Sequence, residues 1–225
     1  MIEHLLLRLK KNNPSKKILL CTTKDKSDNQ LEKIGKKYHI DVFRGSGKNV
    51  LKRMMDGVKN YNHNIIVRVT GDDILIDPKY MNIAINYLLE NNLEYVDHKA
   101  LPSGTETEIF DRNILNLITN TADDLEGTEY LTNYIKDNKL YFKIGSAPVS
   151  IKHKSNLRLT IDTKNDFNFV KKFLIKMKKI RKNYDYNLDD IISFYSKSIN
   201  KEGLKKSSDH MLYKTSLSLN KYYKI

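Results

Sequence analysis

An α/β fold, with helices covering both faces of a mostly parallel sheet, is what this chain of 225 residues predicts. Three observations carry the prediction. Short apolar runs at Lys17 to Thr22, Asp41 to Arg44 and Ile65 to Thr70 alternate with segments whose apolar residues recur at helical spacing. Such alternation gives parallel strands with helices above and below them. Two apolar runs also end in acids, at Gly71-Asp72-Asp73 and at Asp162, and open α/β folds place ligands at the carboxyl ends of their strands.

The chain opens on a helix, because Ile2, Leu5, Leu6 and Leu9 share one face, the last turn is basic and Pro14 stops it. A buried strand follows at Lys17 to Thr22, and Asp28 is placed to cap a helix that carries Leu31 and Ile34. After the strand at Asp41 to Arg44 and the turn at Gly45-Ser46, a helix bearing Val50, Leu51, Met54, Met55 and Val58 leads into Ile65 to Thr70. Pro78 suits the first turn of a helix with Met81, Ile85, Leu88 and Leu89 inside, and Tyr95-Val96 is a brief strand. The rhythm then changes. Leu101 to Phe110 joins a turn to an alternating segment, followed by helices near Arg112 to Thr121 and Gly127 to Lys136, which is expected to be an insertion over the site. Leu140 to Ile144 and Leu157 to Ile161 return to strand, while Asn165 to Ile180 and Leu188 to Ser196 are amphipathic helices. One domain over residues 1–197 and a basic, polar tail over 198–225 are expected, the tail being mobile or an oligomer contact.

Composition excludes several classes. No apolar run approaches the roughly 18 residues of a membrane span, and the amino end lacks the order of a signal peptide, so a cytoplasmic protein without membrane attachment is expected. The single cysteine, Cys21, cannot form an internal disulfide and lies in an apolar run, where it reads as core filler. Six histidines are scattered without ligand spacing, so zinc is not expected. The net charge of +13 raises nucleic-acid binding, but residues 171–225 hold 14 Lys and Arg against 5 Asp and Glu, which accounts for +9 of it. No recognition motif accompanies that charge, and nucleic acid is not an expected partner.

The strand-end acids carry the chemistry. At the Gly71 turn, glycine lets backbone approach a phosphate closely, and either Asp72 or Asp73 could hold Mg²⁺ as a hard oxygen ligand; Asp72 is the preferred one. Helix capping competes for these acids, but Asp77 is better placed to cap at Pro78. In Asp162-Thr163-Lys164-Asn165-Asp166 the same choice assigns Asp162 to metal and Asp166 to the first turn of a helix. Gly45-Ser46-Gly47-Lys48 looks like a phosphate-binding loop but lacks the first glycine and the Ser/Thr, since Asn49 stands there. It is still a strand-to-helix turn whose amides and Lys48 could face an anion. Arg53 and Arg68 could contact phosphate or carboxylate, or simply pair with neighbouring acids.

Taken in order, these segments resemble the cytidylyltransferase family of sugar nucleotidyltransferases, in the branch grouped with spore-coat polysaccharide biosynthesis proteins and related to CMP-acylneuraminate and CMP-Kdo synthetases. The resemblance runs through Phe43-Arg44-Gly45-Ser46, Val50-Leu51-Lys52-Arg53, Val67 to Asp72 with Ile76-Asp77-Pro78, and Leu101 to Glu106. It continues through Glu129, Thr132, Tyr134 and Ile135 to Arg158-Leu159-Thr160-Ile161-Asp162-Thr163 with Asp166, and covers about residues 1–200. It implies a Rossmann-like nucleotide-diphospho-sugar transferase fold of three α/β/α layers, here without the family's first strand and its basic glycine loop. It also implies Mg²⁺-dependent transfer of CMP from CTP to a sugar with release of pyrophosphate, for surface polysaccharide or glycan synthesis, by a chain that could form homo-oligomers. Asp72 and Asp162 take the metal role by position, with Arg68 beside them in catalysis; Lys48, Arg53, Glu106 and Glu108 fall to substrate binding. A competing expectation is an inactive, truncated homologue that serves as a binding or assembly subunit.

Overall fold

The computed structural model describes residues 1–121 and 131–202. Helix α1 (Ile2–Asn12) buries Leu5 and Leu6 and sets Lys10 and Lys11 against the negative end of its dipole. Strand β1 (Leu19–Thr23) leads through a tight turn at Lys26–Asp28 into α2 (Asn29–Tyr38), and β2 (Asp41–Gly45) follows. Asp28 stands at the start of α2 but does not cap it; its carboxylate accepts instead from Thr22 Oγ1 at 2.6 Å, Thr23 Oγ1 at 2.6 Å and Thr23 N at 2.9 Å. Three donors at the end of β1 outcompete one helix amide. Asn49 caps α3 (Val50–Val58) by accepting from Lys52 N at 2.8 Å, and β3 (Ile65–Arg68) comes next.

Asp77 starts α4 (Pro78–Glu90) as the sequence predicts, accepting from Lys79 N at 2.9 Å and Tyr80 N at 3.2 Å. Beyond it lie β4 (Tyr95–Asp97), β5 (Glu108–Asp111), α5 (Arg112–Thr121), α6 (Leu131–Asp137), β6 (Ile144–Ser146), α7 (Lys164–Lys179) and α8 (Leu188–Glu202). Thr163 and Asp166 form a reciprocal capping box at the start of α7, so Asp166 has its expected helical role. Helix α8 continues past residue 197, and residues 203–225 of the expected tail lie outside the described residues. So do residues 127–130 of the expected helix near Gly127.

Strands β1 and β2 form a parallel pair, with Leu19 opposite Asp41 and Thr23 opposite Gly45. The other sheet has the order β3-β5-β4-β6. There β5 runs antiparallel to both β3 and β4, and β4 runs parallel to β6, so β5 is reversed inside an otherwise co-directional set. This corrects one expectation. The segment after Leu101 is not laid over the site as an insertion; its alternating part is a central strand, with Ile109 and Phe110 fully buried. A second correction concerns Leu157 to Ile161, which forms a single bridge between Arg158 and Ser103 rather than a strand. Gly104, at φ +90, takes its own chain out of the extended conformation directly after Ser103. The strand expected from Leu140 begins later, at Ile144, because Leu140 and Tyr141 are 91% and 51% exposed.

Three layers result. On one face of the larger sheet, Met81, Ala84 and Leu88 of α4 cover Val96 and Ile109. On the other, Leu51 and Met55 of α3, Ile114, Leu115 and Ile118 of α5, and Ile135 of α6 cover Tyr95 and Phe110. Helices α7 and α8 close the carboxyl end of the molecule over Ile74, Leu75 and Ile76, each fully buried and each contributing about 1.5–3 kcal/mol. Cys21, half-buried on β1, lies beside Gly57 of α3, and burial pushes its thiol up to about 11. Among the described residues no helix is long and apolar enough to cross a membrane.

Candidate active site

The turn after β3 and the segment before α7 are joined by a hydrogen bond from Ile161 N to Asp72 O at 3.2 Å. Two acids 90 residues apart in sequence are thereby carried on touching loops at the carboxyl end of β3. Behind Asp72 the chain dives inward through Ile74 to Ile76 and is fixed again at Asp77. The Asp77 amide donates to Thr105 O at 2.9 Å, and its carboxylate also accepts from Leu188 N at 3.1 Å. The loop is thus clamped at both ends, and the clamp supports the exposed Asp72.

The neighbours of Asp72 are charged. Asp73 is turned inward, where Thr70 Oγ1 donates to its Oδ2; burial, aided by the Asp72 charge, raises its pKa against the help of Thr70. Arg68 and Glu108 stand opposite one another on β3 and β5 and pair at 2.5 Å, both largely buried. Asp162 pairs with Arg158, and Asp166 accepts from Asp162 N at 3.1 Å while capping α7. Sequence reasoning quoted Arg158 within its segment but gave it no role, because the pair lies in an irregular stretch where a spacing of four residues predicts no contact. It also passed over Asp97, nearly buried at the carboxyl end of β4 and paired with Lys136 at 2.8 Å, a contact between distant segments that no local pattern announces.

Glu106 occupies the loop that passes Thr160. Its Oε2 accepts from Thr105 N at 3.0 Å, and burial, with the Asp73 charge adding to it, raises its pKa to about 7. The native state therefore keeps this proton until pH about 7, whereas the unfolded chain releases it near 4.5. Stability present below the lower value is lost as pH rises to the upper one. Glu106→Gln should remove that loss, so the stability gap between variant and native chain should widen by about 3 kcal/mol across this window in denaturant titrations. Parallel profiles for the two proteins would show that Glu106 is an ordinary exposed acid.

Gly104 lets this loop lie directly on the segment leading to Asp162. A Cβ there would stand 2.6 Å from Thr160 N and 2.8 Å from Leu159 C, both backbone atoms that cannot swing aside. With φ at +90 the substitution is strained as well as crowded. Gly104→Ala should cost about 2–4 kcal/mol and lower the thermal midpoint by about 5–15 °C. A scanning calorimetry trace unchanged by this substitution would contradict the close approach.

Lys48 and Arg53 lie at the carboxyl end of β2, in the turn and on α3 after it. Lys48 is exposed in the turn, and Arg53 reaches back from α3 to donate to Ser46 O, which shapes that turn. An open depression of about 460 Å³ lies away from these groups, lined by Tyr80, His153 and Asp189 among others. Its polar atoms bond each other, with His153 Nδ1 2.8 Å from Tyr80 Oη and Nε2 2.9 Å from Asp189 Oδ1, so it ties α4 to α8.

Among the described residues no three His, Cys, Asp or Glu stand together as a metal cage. A magnesium ion does not need one: it binds through one or two carboxylates and completes its octahedron with phosphate oxygens and water. The exposed Asp72, whose carboxylate has no hydrogen-bond or ion-pair partner among the described residues, and the 45% exposed Asp162 fit that donor set.

Comparison with known proteins supplies the family context. A family model described as cytidylyltransferase matches residues 1–205. An uncharacterized protein of Methanocaldococcus jannaschii is 33% identical over 199 residues, spanning 88% of this chain and 80% of that one. The spore coat polysaccharide biosynthesis protein SpsF of Bacillus subtilis is 27% identical over 156 residues, 68% of this chain and 65% of the relative. Among solved structures, a cytidylyltransferase from Leptospira borgpetersenii superposes with a TM-score of 0.80 at 28% identity, covering 88% of this chain and 84% of that one. A CMP-2-keto-3-deoxy-manno-octonic acid synthetase complexed with CTP superposes at 0.57 with 10% identity, covering 78% of this chain and 87% of that one, a likeness of fold alone.

Proposed function

The chain belongs to the cytidylyltransferase family, and from that premise we propose that it transfers the cytidylyl group of CTP to a sugar hydroxyl, releasing pyrophosphate, in the supply of activated sugars for surface polysaccharide or glycan. The observation that carries this reading is the hydrogen bond from Ile161 N to Asp72 O, which joins the loops that carry Asp72 and Asp162. A magnesium ion held by Asp72 and Asp162 would neutralise charge on the triphosphate. Asp72 needs no rearrangement for this. Asp162 would share its carboxylate between the ion and Arg158, whose guanidinium also faces Asp166 at 3.9 Å and could reach a phosphate oxygen.

In the reaction the sugar hydroxyl attacks the α-phosphorus in line, and negative charge builds on the non-bridging and leaving oxygens. Arg68 sits behind Asp72 on β3 and, fixed by Glu108, supplies positive charge at constant geometry. Glu106 and Glu108, on the loop and strand beside it, offer carboxylate oxygens to sugar hydroxyls. Pyrophosphate release should depend jointly on CTP, Mg²⁺ and one sugar from a panel of neutral and acidic sugars. Absence of release with every sugar, together with CTP binding no tighter than that of the other nucleoside triphosphates, would overturn the proposal.

A further inference from the structure

At the carboxyl ends of β3, β4 and β6 the larger sheet carries a polar row across one face. Ile66, Tyr95, Phe110 and Ile144 all belong to the apolar layer beneath α3, α5 and α6. Side chains alternate along a strand, so Arg68, Asp97, Glu108 and Ser146, each two residues away from one of these, face the same side. The pairing sets them in line. Arg68 stands opposite Glu108 and Asp97 beside Ser146, while the pairs Tyr95 with Phe110 and Val96 with Ile109 bring Asp97 level with Glu108. Arg68 is four residues ahead of Asp72, so the row begins beside the candidate metal site.

Neighbouring carboxylates on one sheet face repel, and each of these is held by its own cation. Arg68 pairs with Glu108 at 2.5 Å, and Lys136 reaches from α6 to Asp97 Oδ2 at 2.8 Å. Two cations and two anions leave the row neutral. One atom is left over: Asp97 Oδ1 is buried and, among the described residues, accepts no hydrogen bond. A charged oxygen kept in the interior without a donor is costly, and at the carboxyl end of a sheet strand it points to a ligand that donates. The cover over Asp97 is one flexible arm, because the Lys136 side chain is 39% exposed, and its rotation opens the carboxylate while the sheet stays fixed.

Charge decides which ligand fits. A sugar carboxylate entering this row would meet two acids and find both cations already paired, whereas hydroxyl or amino hydrogens would meet acceptors. Resting on the cytidylyl transfer proposed above, we propose that this row is the floor of the acceptor site. Asp97, with Glu108, selects a sugar that carries no carboxylate by accepting from its hydroxyl or amino groups.

Binding of free sugars tests this without turnover. The 225-residue chain is titrated with hexoses of gluco, galacto and manno configuration, with their amino-sugar counterparts and with their uronic acids, and binding is followed by saturation-transfer NMR. The tightest ligand should be a hexose or an amino sugar, with the uronic acid of the same configuration weaker by about 10-fold or more. Asp97→Asn, which keeps the shape and removes the charge, should weaken that ligand by about 10–100-fold. Lys136→Met keeps an apolar arm and leaves one cation against two anions, so it should raise the preference for amino sugar over hexose by about 10-fold. Tightest binding by a uronic acid, binding by none of the sugars, or native affinities in both variants would overturn the proposal. The reaction is judged separately. A sugar that binds as described yet releases no pyrophosphate with CTP and Mg²⁺ refutes the transfer alone, and release with uronic acids alone refutes only this selection.

Discussion

Asp72→Asn should lower kcat for CTP-dependent transfer by about 10²–10³-fold while leaving the thermal midpoint nearly unchanged. The two halves of this expectation have different causes. The fold uses the backbone of residue 72, whose carbonyl accepts from Ile161 N, and asparagine keeps that carbonyl. The side chain is exposed and, among the described residues, accepts no hydrogen bond, so neutralising it leaves no buried group unsatisfied. What asparagine removes is the formal charge that would draw the divalent cation, so the variant should also need more Mg²⁺ for half-maximal turnover. Asp162→Asn makes an instructive partner, since it also removes the carboxylate paired with Arg158, which still faces Asp166 at 3.9 Å, and should lose some stability along with activity. Full turnover by Asp72→Asn would remove that residue from the reaction.

Arg8→Ala should be the most destabilising substitution considered, costing about 3–5 kcal/mol. Arg8 is 1% exposed within α1, and its guanidinium serves three backbone carbonyls: Ile76 at 3.3 Å, Tyr184 at 2.6 Å and Tyr186 at 2.9 Å. It also stacks 3.7 Å over the Tyr186 ring. Burial lowers its pKa, opposed by Tyr186 and Asp77, but an arginine remains charged at any working pH. Alanine would leave these carbonyls without donors and open a void between α1 and the approach to α8. A drop of about 6–20 °C in the thermal midpoint is expected, and lysine should recover little because it lacks the planar fork. A loss below about 1 kcal/mol would mean that water replaces the guanidinium, and the site would have to be far wetter than its burial indicates.

Much of the fold was legible because it is local. The apolar spacing in α1, α3 and α4, the Asp77-Pro78 start and the Thr163 to Asp166 box each depend on residues within a few positions of one another. The position of β5 was not legible. An alternating segment of four residues reads the same at the rim of a sheet or in its centre, and only the pairing with β3 and β4 decides. For the site, Asp72 and Asp162 stood out as acids after apolar runs, and the structure carries both onto adjoining loops, although the run before Asp162 is a single bridge and not a strand. The counter-charges did not: Arg158 beside Asp162 and Lys136 beside Asp97 arise from irregular or long-range geometry. Lys48 and Arg53 stood out as a cationic turn after a strand, and the structure places both at the carboxyl end of β2, where Arg53 donates to Ser46 O.

The stretch from Asp72 to Asp77 has a wet tip and a dry stem. Ile74, Leu75 and Ile76 have no accessible surface, so the tip cannot drift without pulling three large side chains out of the interior. Rigidity of that kind is borrowed from packing rather than built at the surface, and it makes the reach of the Asp72 oxygens a property of side chains as distant as Phe173 and Ile191. Shaving a methyl from that interior should therefore blunt a reaction whose participants it never meets.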